Sequence, residues 1–269
     1  MARPEELFDL TNKTIVVTGA GSGLGRSMAV ALSEAGANVA VVDLIESRAA
    51  ETHEIIHSLG GLSFPLGADV SSRSSVQTMF DSVRSDFGTI DVLVNNAGFT
   101  VPGKKTHEID EDDWLRVIQT NLTGTFYCSK EAIPSMLPTG KGSIINISSI
   151  SGLVGVYPDF PMLTSAYAAS KAGMIGLTRQ MSSEYAADNI RVNAIAPGWH
   201  GGTKLSEKIR ADMSNSDTAR FEDAIYTGTP MKRRGLADEI QGLAVYLASD
   251  SSSFLTGQVI VQDGGWTSQ

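Results

Sequence analysis

Seven short runs rich in Val and Ile, separated by stretches of helical periodicity, constrain this chain more than any other feature. The runs are Thr14–Thr18, Asn38–Asp43, Leu62–Leu66, Ile90–Asn95, Gly142–Ser148, Ile190–Ile195 and Gln258–Gln262. Most are continuously apolar rather than alternating, the pattern of strands covered on both faces. Between them, Leu24, Met28, Ala31, Leu32 and Ala35 follow a 3.6-residue period, with Gly36 as a C-cap. Val76, Met79, Phe80, Val83 and Phe87 repeat the pattern, with Gly88 after them. Strand, helix and strand in repetition predict right-handed crossovers and a parallel sheet of about seven strands flanked by helices. That is a doubly wound α/β fold of the Rossmann type. The 269 residues show no internal repeat and no low-complexity linker, so residues 1–269 are expected to form one domain.

Composition narrows the class. With 42% apolar and 19% charged residues, the chain can bury a core and is not disordered. Lys plus Arg number 21 against 30 Asp plus Glu, and the resulting charge of −9 argues against a nucleic-acid partner. One cysteine, Cys128, rules out an intrachain disulfide and a cysteine-based zinc site; it reads as a core residue. Trp114 reads as packing. Met1–Leu7 lacks the apolar centre of a signal peptide, and the longest uncharged stretch, Gly142 to Pro158, is too polar to span a bilayer. The expectation is a cytoplasmic protein with no membrane contact.

The first run leads into Thr18-Gly19-Ala20-Gly21-Ser22-Gly23-Leu24-Gly25, and a helix follows. Glycines at such a turn let the backbone approach a pyrophosphate, which then sits at the positive end of the helix. The spacing that fits is Gly19-x-x-x-Gly23-x-Gly25, so Gly19, Ser22, Gly23, Leu24 and Gly25 are assigned to a dinucleotide. Asp43 ends the second run, 24 residues beyond Gly19. A carboxylate there accepts hydrogen bonds from ribose hydroxyls and repels a 2′-phosphate. Ser22 is not basic and Leu44 follows Asp43, so no cation is placed for that phosphate. NAD is therefore expected rather than NADP.

Two clusters follow at the ends of later runs. Asn95-Asn96-Ala97-Gly98 follows the fourth, where a parallel sheet borders its ligand crevice. Ser148-Ser149-Ile150-Ser151-Gly152 follows the fifth. Tyr167 and Lys171 lie four apart on a helix and share one face. An ammonium near a phenol stabilises the phenolate, so the pair is expected to lower the tyrosine pKa toward a usable acid/base value.

Taken in order, Thr18-Gly19-x-x-x-Gly23-x-Gly25, Asn95-Asn96-Ala97-Gly98, Ser149, Tyr167-x-x-x-Lys171 and Pro197-Gly198 resemble the short-chain dehydrogenase/reductase family, over roughly Leu10 to Trp266. The resemblance implies NAD(P)-dependent interconversion of a secondary alcohol and a ketone by a homo-oligomer, a tetramer or a dimer. It implies Tyr167 as the acid/base, Lys171 as its pKa partner and holder of the nicotinamide ribose, Ser149 on the reacting oxygen, and Asn121 in support of a water relay. Asp69 and Val70 match the pair flanking adenine, and Asn96, Ala97 and Gly98 the loop beside the adenosine ribose. Pro197 and Gly198 match the turn beside the nicotinamide, and Thr203 the threonine near its carboxamide. The Leu7–Lys13 opening and the C-terminal stretch are similar to gluconate and deoxygluconate dehydrogenases.

Two departures stand out. Ser149 and Tyr167 are 18 residues apart, a longer gap than the family's usual one. The extra length falls in Val156–Leu163, whose two prolines and two aromatics read either as a stiff wall beside substrate or as a plain surface loop. Pro197-Gly198-Trp199-His200-Gly201-Gly202-Thr203 carries one residue more than expected, which puts Thr203 in doubt. His200 reads either as substrate-facing or as a plain loop histidine. The weakly periodic region of about 199–234 is expected to form a substrate-binding flap. Between Gly201 and Arg234 it holds seven Lys and Arg against five Asp and Glu, which reads either as a sign of an anionic substrate such as a sugar acid or as plain solvated charge; the substrate class expected is a sugar acid or a polyol. The alternatives are a 3-oxoacyl or other keto reductase, and a catalytically silent dinucleotide-binding sensor. His53-Glu54-Ile55-Ile56-His57 matches a zinc-protease motif in letters only. Its histidines lie off the stripe formed by Thr52, Ile55, Ile56 and Leu59, so no metal is expected.

Overall fold

A computed structural model of the chain describes residues 4–156, 164–202 and 213–269. Seven strands form one parallel sheet: β1 (Thr14–Thr18), β2 (Asn38–Asp43), β3 (Leu62–Gly67), β4 (Val92–Asn95), β5 (Gly142–Ile147), β6 (Ile190–Pro197) and β7 (Val259–Gln262). Their order is β3-β2-β1-β4-β5-β6-β7. The chain winds outward from β1 through β2 to β3, then returns to place β4 on the other flank of β1. The direction of winding reverses there, which opens a crevice at the carboxyl ends of β1 and β4.

Eight helices surround the sheet among the described residues: α1 (Gly23–Glu34), α2 (Glu46–Ser58), α3 (Arg73–Phe87), α4 (Glu111–Ile118), α5 (Gly124–Met136), α6 (Ser165–Tyr185), α7 (Asn215–Gly228) and α8 (Gln241–Ala248). One short helical turn, Pro4–Leu7, precedes β1. Ile15 and Val17 of β1 pack with Met28 and Leu32 of α1 and Leu247 of α8. Val16, pointing the other way, joins Phe80 and Val83 of α3 and Met136 of α5. Both faces are thus covered, and all five residues of β1 are buried, which is why the run carries no polar alternation.

The outer strands differ because they have a neighbour on one side only. β3 leaves Leu62 exposed and β7 leaves Val261 exposed. β4 begins at Val92 rather than Ile90, and β6 extends to Pro197. On α2 the buried residues are Ala49, Thr52 and Ile56; Ile55 and Leu59 are exposed, so the apolar stripe is narrower than its spacing predicts. Trp114 is also partly exposed, at 38%, rather than packed, while Cys128 is buried. The Tyr157–Leu163 part of the long loop and residues 203–212 of the expected flap, Thr203 included, lie outside the described residues. No helix among the described residues is long and apolar enough to cross a membrane.

Candidate active site

A cleft of about 1450 Å³ lies along the carboxyl edge of the sheet, at the reversal between β1 and β4. Its first half is built by the glycine-rich turn. Gly19 has φ +64°, a left-handed conformation that favours glycine. A Cβ on Gly25 would run into the Gly19 carbonyl and the Asn96 amide, so the turn forms a cradle that no side chain fills. Ser22, the N-cap of α1, makes no side-chain capping bond, whereas Ser72, Thr164 and Ser214 cap α3, α6 and α7. The first amides of α1 are left for an anion. Ser22, Gly23, Leu24 and Gly25 all line the cleft.

Asn96 ties this turn to the end of β4. Its Nδ2 donates to the carbonyls of Thr18 at 2.9 Å and Gly19 at 3.0 Å. The Thr18 hydroxyl accepts from the amides of Asn96 and Ala97 and donates to Val94. Ala97 and Gly98 continue the lining, with Asp69 and Val70. Asp69 Oδ1 accepts from the backbone and hydroxyl of Ser71. Asp43 is held by two backbone donors: Gly21 to Oδ2 and Ile45 to Oδ1, both at 3.1 Å. Arg48 lines the same end of the cleft. The sequence places no cation there. Arg48 lies one turn into α2, and the helix returns it to Gly21, where an added Cβ would lie 2.6 Å from that of Arg48.

The second half gathers Ser149, Tyr167 and Lys171. Thr164 caps α6 by accepting from the Tyr167 amide. Gly152 fits flush on the next turn, where a Cβ would come within 2.7 Å of the Lys171 carbonyl carbon. This brings the β5 loop against α6 and sets Ser149 beside the Tyr167 phenol. Ser148 is spent elsewhere, its hydroxyl donating to the Lys171 carbonyl at 2.9 Å. Lys171 Nζ donates to the Ile147 carbonyl at 2.6 Å and lies 5.6 Å from the centre of the Tyr167 ring.

Both ionisable groups are pushed toward neutrality. Burial drives the Tyr167 phenol up to about 12, against a smaller favourable contribution from the Ser149 hydroxyl. Burial also drives the Lys171 ammonium down to about 8. The spacing predicts a lowered tyrosine; the direction found is the opposite, because desolvation outweighs the hydrogen bond from Ser149.

Asn121 does not line the cleft. It sits in a π-turn, Gln119–Thr123, between α4 and α5, and is wholly buried. Its Oδ1 accepts from the Phe99 amide, and its Nδ2 donates to the Phe99 carbonyl and to Ser170 Oγ at 3.1 Å. Ser170 Oγ in turn donates to the Tyr167 carbonyl. Asn121 thus links the loop after β4 to the helix of Tyr167.

Pro197 and Gly198 close the far end. Gly198 donates to Gln262, and a Cβ there would lie 2.6 Å from that of Asp263. His200 is buried, lines the cleft and has its pKa lowered by burial. Its backbone bridges to Gly235: Gly201 donates to the Gly235 carbonyl at 2.9 Å, and Gly235 to the Trp199 carbonyl at 3.0 Å. Phe99, Arg116, Trp199 and Arg234 also line the cleft and were not singled out as binding residues by sequence reasoning. They sit in loops or at helix ends, where no period marks them. Arg234 pairs with Glu222 at 2.8 Å, an acid of the same region, and Arg233 with Glu239 at 2.7 Å, which lies outside it and so offsets one charge of the basic excess. His53 Nδ1 lies 2.8 Å from Ser63 Oγ, and its ring centre is 6.2 Å from that of His57. Among the described residues no group of three or more metal-binding side chains gathers.

A family model described as enoyl-(acyl carrier protein) reductase matches residues 19–267. A short-chain type dehydrogenase/reductase of Mycobacterium marinum superposes with a TM-score of 0.90 at 34% identity, over 98% of this chain and 99% of that one. The chain belongs to the short-chain dehydrogenase/reductase family. Among other members, a cis-4-hydroxycyclohexanecarboxylate dehydrogenase of Sinomonas cyclohexanicum is 38% identical over 95% of this chain and 96% of its own. A gluconate 5-dehydrogenase of Burkholderia cenocepacia in complex with NADP and tartrate gives a TM-score of 0.89 at 32% identity, covering 99% of this chain and 100% of that one. A short-chain dehydrogenase/reductase of this build is an oxidoreductase acting on small molecules.

Proposed function

We propose that the chain is an NAD-preferring dehydrogenase that interconverts a secondary alcohol and a ketone, on a polyol or sugar acid. The observation that carries this reading is the meeting of Ser149, Tyr167 and Lys171 in one wall of a cleft whose other wall is the glycine cradle. The cradle fits a dinucleotide: a Cβ would fill it at Gly25, and α1 opens on it without a side-chain cap. Gly19, Ser22, Gly23, Leu24 and Gly25 would hold the pyrophosphate, Asp43 the adenosine ribose, and Asp69 and Val70 the adenine. Pro197 and Gly198 would meet the nicotinamide. When bound, the nicotinamide supplies the hydride acceptor or donor.

The chain's own residues handle the proton and the oxygen. In oxidation Tyr167 takes the hydroxyl proton at its phenolate oxygen; in reduction it returns that proton. The Ser149 hydroxyl donates to the oxygen whose charge changes. The Lys171 ammonium favours the phenolate, and Asn121 positions α6 through Ser170. The Asp43 carboxylate opposes a 2′-phosphate, which supports NAD over the NADP bound by the Burkholderia relative. Ser151 and His200 beside Phe99 and Trp199 give a lining suited to a polar, hydroxylated substrate. The region around 199–234 is proposed to cover that substrate, and the working form to be a cytoplasmic homo-oligomer.

The test is nicotinamide absorbance across polyols, sugar acids and secondary alcohols, with NAD and NADP in parallel. NAD-dependent turnover that disappears in Tyr167→Phe supports the reading. Tight dinucleotide binding with no turnover on any alcohol sinks it in favour of a silent sensor.

A further inference from the structure

We propose that Arg234 selects the substrate: one edge of its guanidinium takes a carboxylate, so the site prefers a sugar acid to the polyol of the same length. The proposal rests on the dehydrogenase reading above and narrows its substrate class. Arg234 lines the cleft, and its side chain is only 14% exposed. Glu222 of α7 accepts from Arg234 Nε at 2.8 Å and from Nη2 at 2.9 Å, and the guanidinium carbon lies 5.3 Å from the centre of the Phe221 ring. This engagement uses one fork of the planar group. Nη1 and the remaining proton of Nη2 form a second fork, which meets no acceptor among the described residues. A guanidinium carries its donors in fixed geometry, so it can hold two carboxylates at once, one on each fork.

The backbone fixes where that fork stands. Arg234 precedes Gly235, which donates to the Trp199 carbonyl at 3.0 Å and accepts from Gly201 at 2.9 Å. Arg234 therefore belongs to the end of the cleft that Gly198, Trp199 and His200 also line. Trp199 meets Phe221 edge-on at 5.7 Å, so the arginine rests on a packed aromatic floor. Holding the group in place beforehand removes part of the ordering cost of binding. The surrounding acids point to the ligand. The described carboxylates that line the cleft, Asp43 and Asp69, both stand at the end assigned to adenosine. Closer to Arg234, Glu239 is engaged by Arg233 through two bonds of 2.7 Å, and Asp263 accepts from Gly265 and from the amide and hydroxyl of Thr267. Glu222 balances the charge of Arg234, so recognition comes from directed N–H donors rather than from an unopposed field. A carboxylate accepts from both arms of the fork; a polyol hydroxyl brings one oxygen and no charge.

Turnover of a sugar acid and of the alditol of equal carbon number, with NAD, reads this as a ratio. Wild type is expected to favour the acid. In Arg234→Gln the acid-to-alditol ratio of kcat/KM should fall about 10–10²-fold, mostly through KM, the range of hydrogen bonds to charged groups. Arg234→Lys keeps a cation for Glu222 but has no second fork, so it should lose most of the same preference; it carries the test if the Gln variant does not fold. Calorimetry with the acid titrated into the NADH complex, where no turnover occurs, should show the same loss while NADH affinity holds. Equal losses for acid and alditol mark a structural role and overturn the assignment. So does a wild type that favours the alditol, or variants that keep the preference. No turnover on any alcohol brings down the dehydrogenase reading, and this assignment falls with it.

Discussion

Tyr167 and Lys171 are each held toward the neutral form by burial, and this leaves a signature in stability. The unfolded chain keeps the Lys171 proton up to about 10.5, whereas the folded chain releases it near 8. Between these values the unfolded state binds more protons, so stability rises with pH. Tyr167 works the other way at higher pH: the folded chain keeps its proton to about 12 against 10.0, and that contribution is lost as pH climbs through this window. From pH 8 to 9 the lysine effect dominates; above pH 9 the buried Cys128 thiol, pushed from 9.0 up to about 12, opposes it. The dinucleotide-free protein should gain about 1 kcal/mol of stability from pH 8 to 9, within the limit of about 1.4 per pH unit, and level off above pH 9. Urea midpoints between pH 8 and 9 should climb in wild type and fail to climb in Lys171→Met. Turnover makes a separate demand. Tyr167→Phe should lower it about 10²–10⁴-fold, the usual worth of a general acid/base, with NAD affinity kept. The sequence shows the Tyr-x-x-x-Lys spacing but not the depth of burial, which is why the direction of the tyrosine shift was not legible from it. Arg48 escaped for a related reason. Asp43 announces itself by ending a strand, while Arg48 belongs to the next helix and reaches the cleft only because that helix folds back.

At the scale of elements, the helices that carry the chemistry are joined through the sheet by buried polar side chains. Thr125 donates to the Asn121 carbonyl, and Ser129 to that of Thr125. Asn95 Nδ2 meets Ser129 Oγ at 3.1 Å and Asn146 Oδ1 at 2.9 Å, and Asn146 donates to Thr178 of α6 at 2.9 Å. The row runs from the π-turn across β4 and β5 to α6. Asn146→Leu would strip a partner from both Asn95 and Thr178 in a dry interior. A loss of about 2–4 kcal/mol in chemical unfolding is expected, and Asn146→Asp should be no milder. The strands themselves were legible because both faces of the inner ones are buried and their sequences say so. The edges of β3 and β7 blurred because a half-covered strand has a mixed pattern. Asn121 was visible as a residue, but its place behind the cleft follows from the π-turn, which has no sequence period.

For the molecule as a whole, binding at the crevice couples to the stability of the entire sheet, because β1, β4, β5 and β6 all end there. A dinucleotide at a hundred times its Kd should add about 2.7 kcal/mol to the folded state. Melting should rise by roughly 5–10 °C with NAD and much less with NAD in Gly25→Trp, whose side chain has no room in the cradle. Light scattering should give a mass near two or four times 28.5 kDa, and a mass of one chain would remove the oligomer from the reading. The bridge between His200 and Gly235 has a consequence of a different kind. It fastens together the two ends of the excursion that departs after β6 and returns before α8. A segment closed at its base can be lengthened cheaply, since each doubling of a loop costs only about 0.6 kcal/mol in closure entropy. The excursion is therefore an exchangeable cassette: evolution or a designer can lengthen or replace it while the sheet and α6 keep their places, and a change of substrate range on such a swap would support the cover proposed for it.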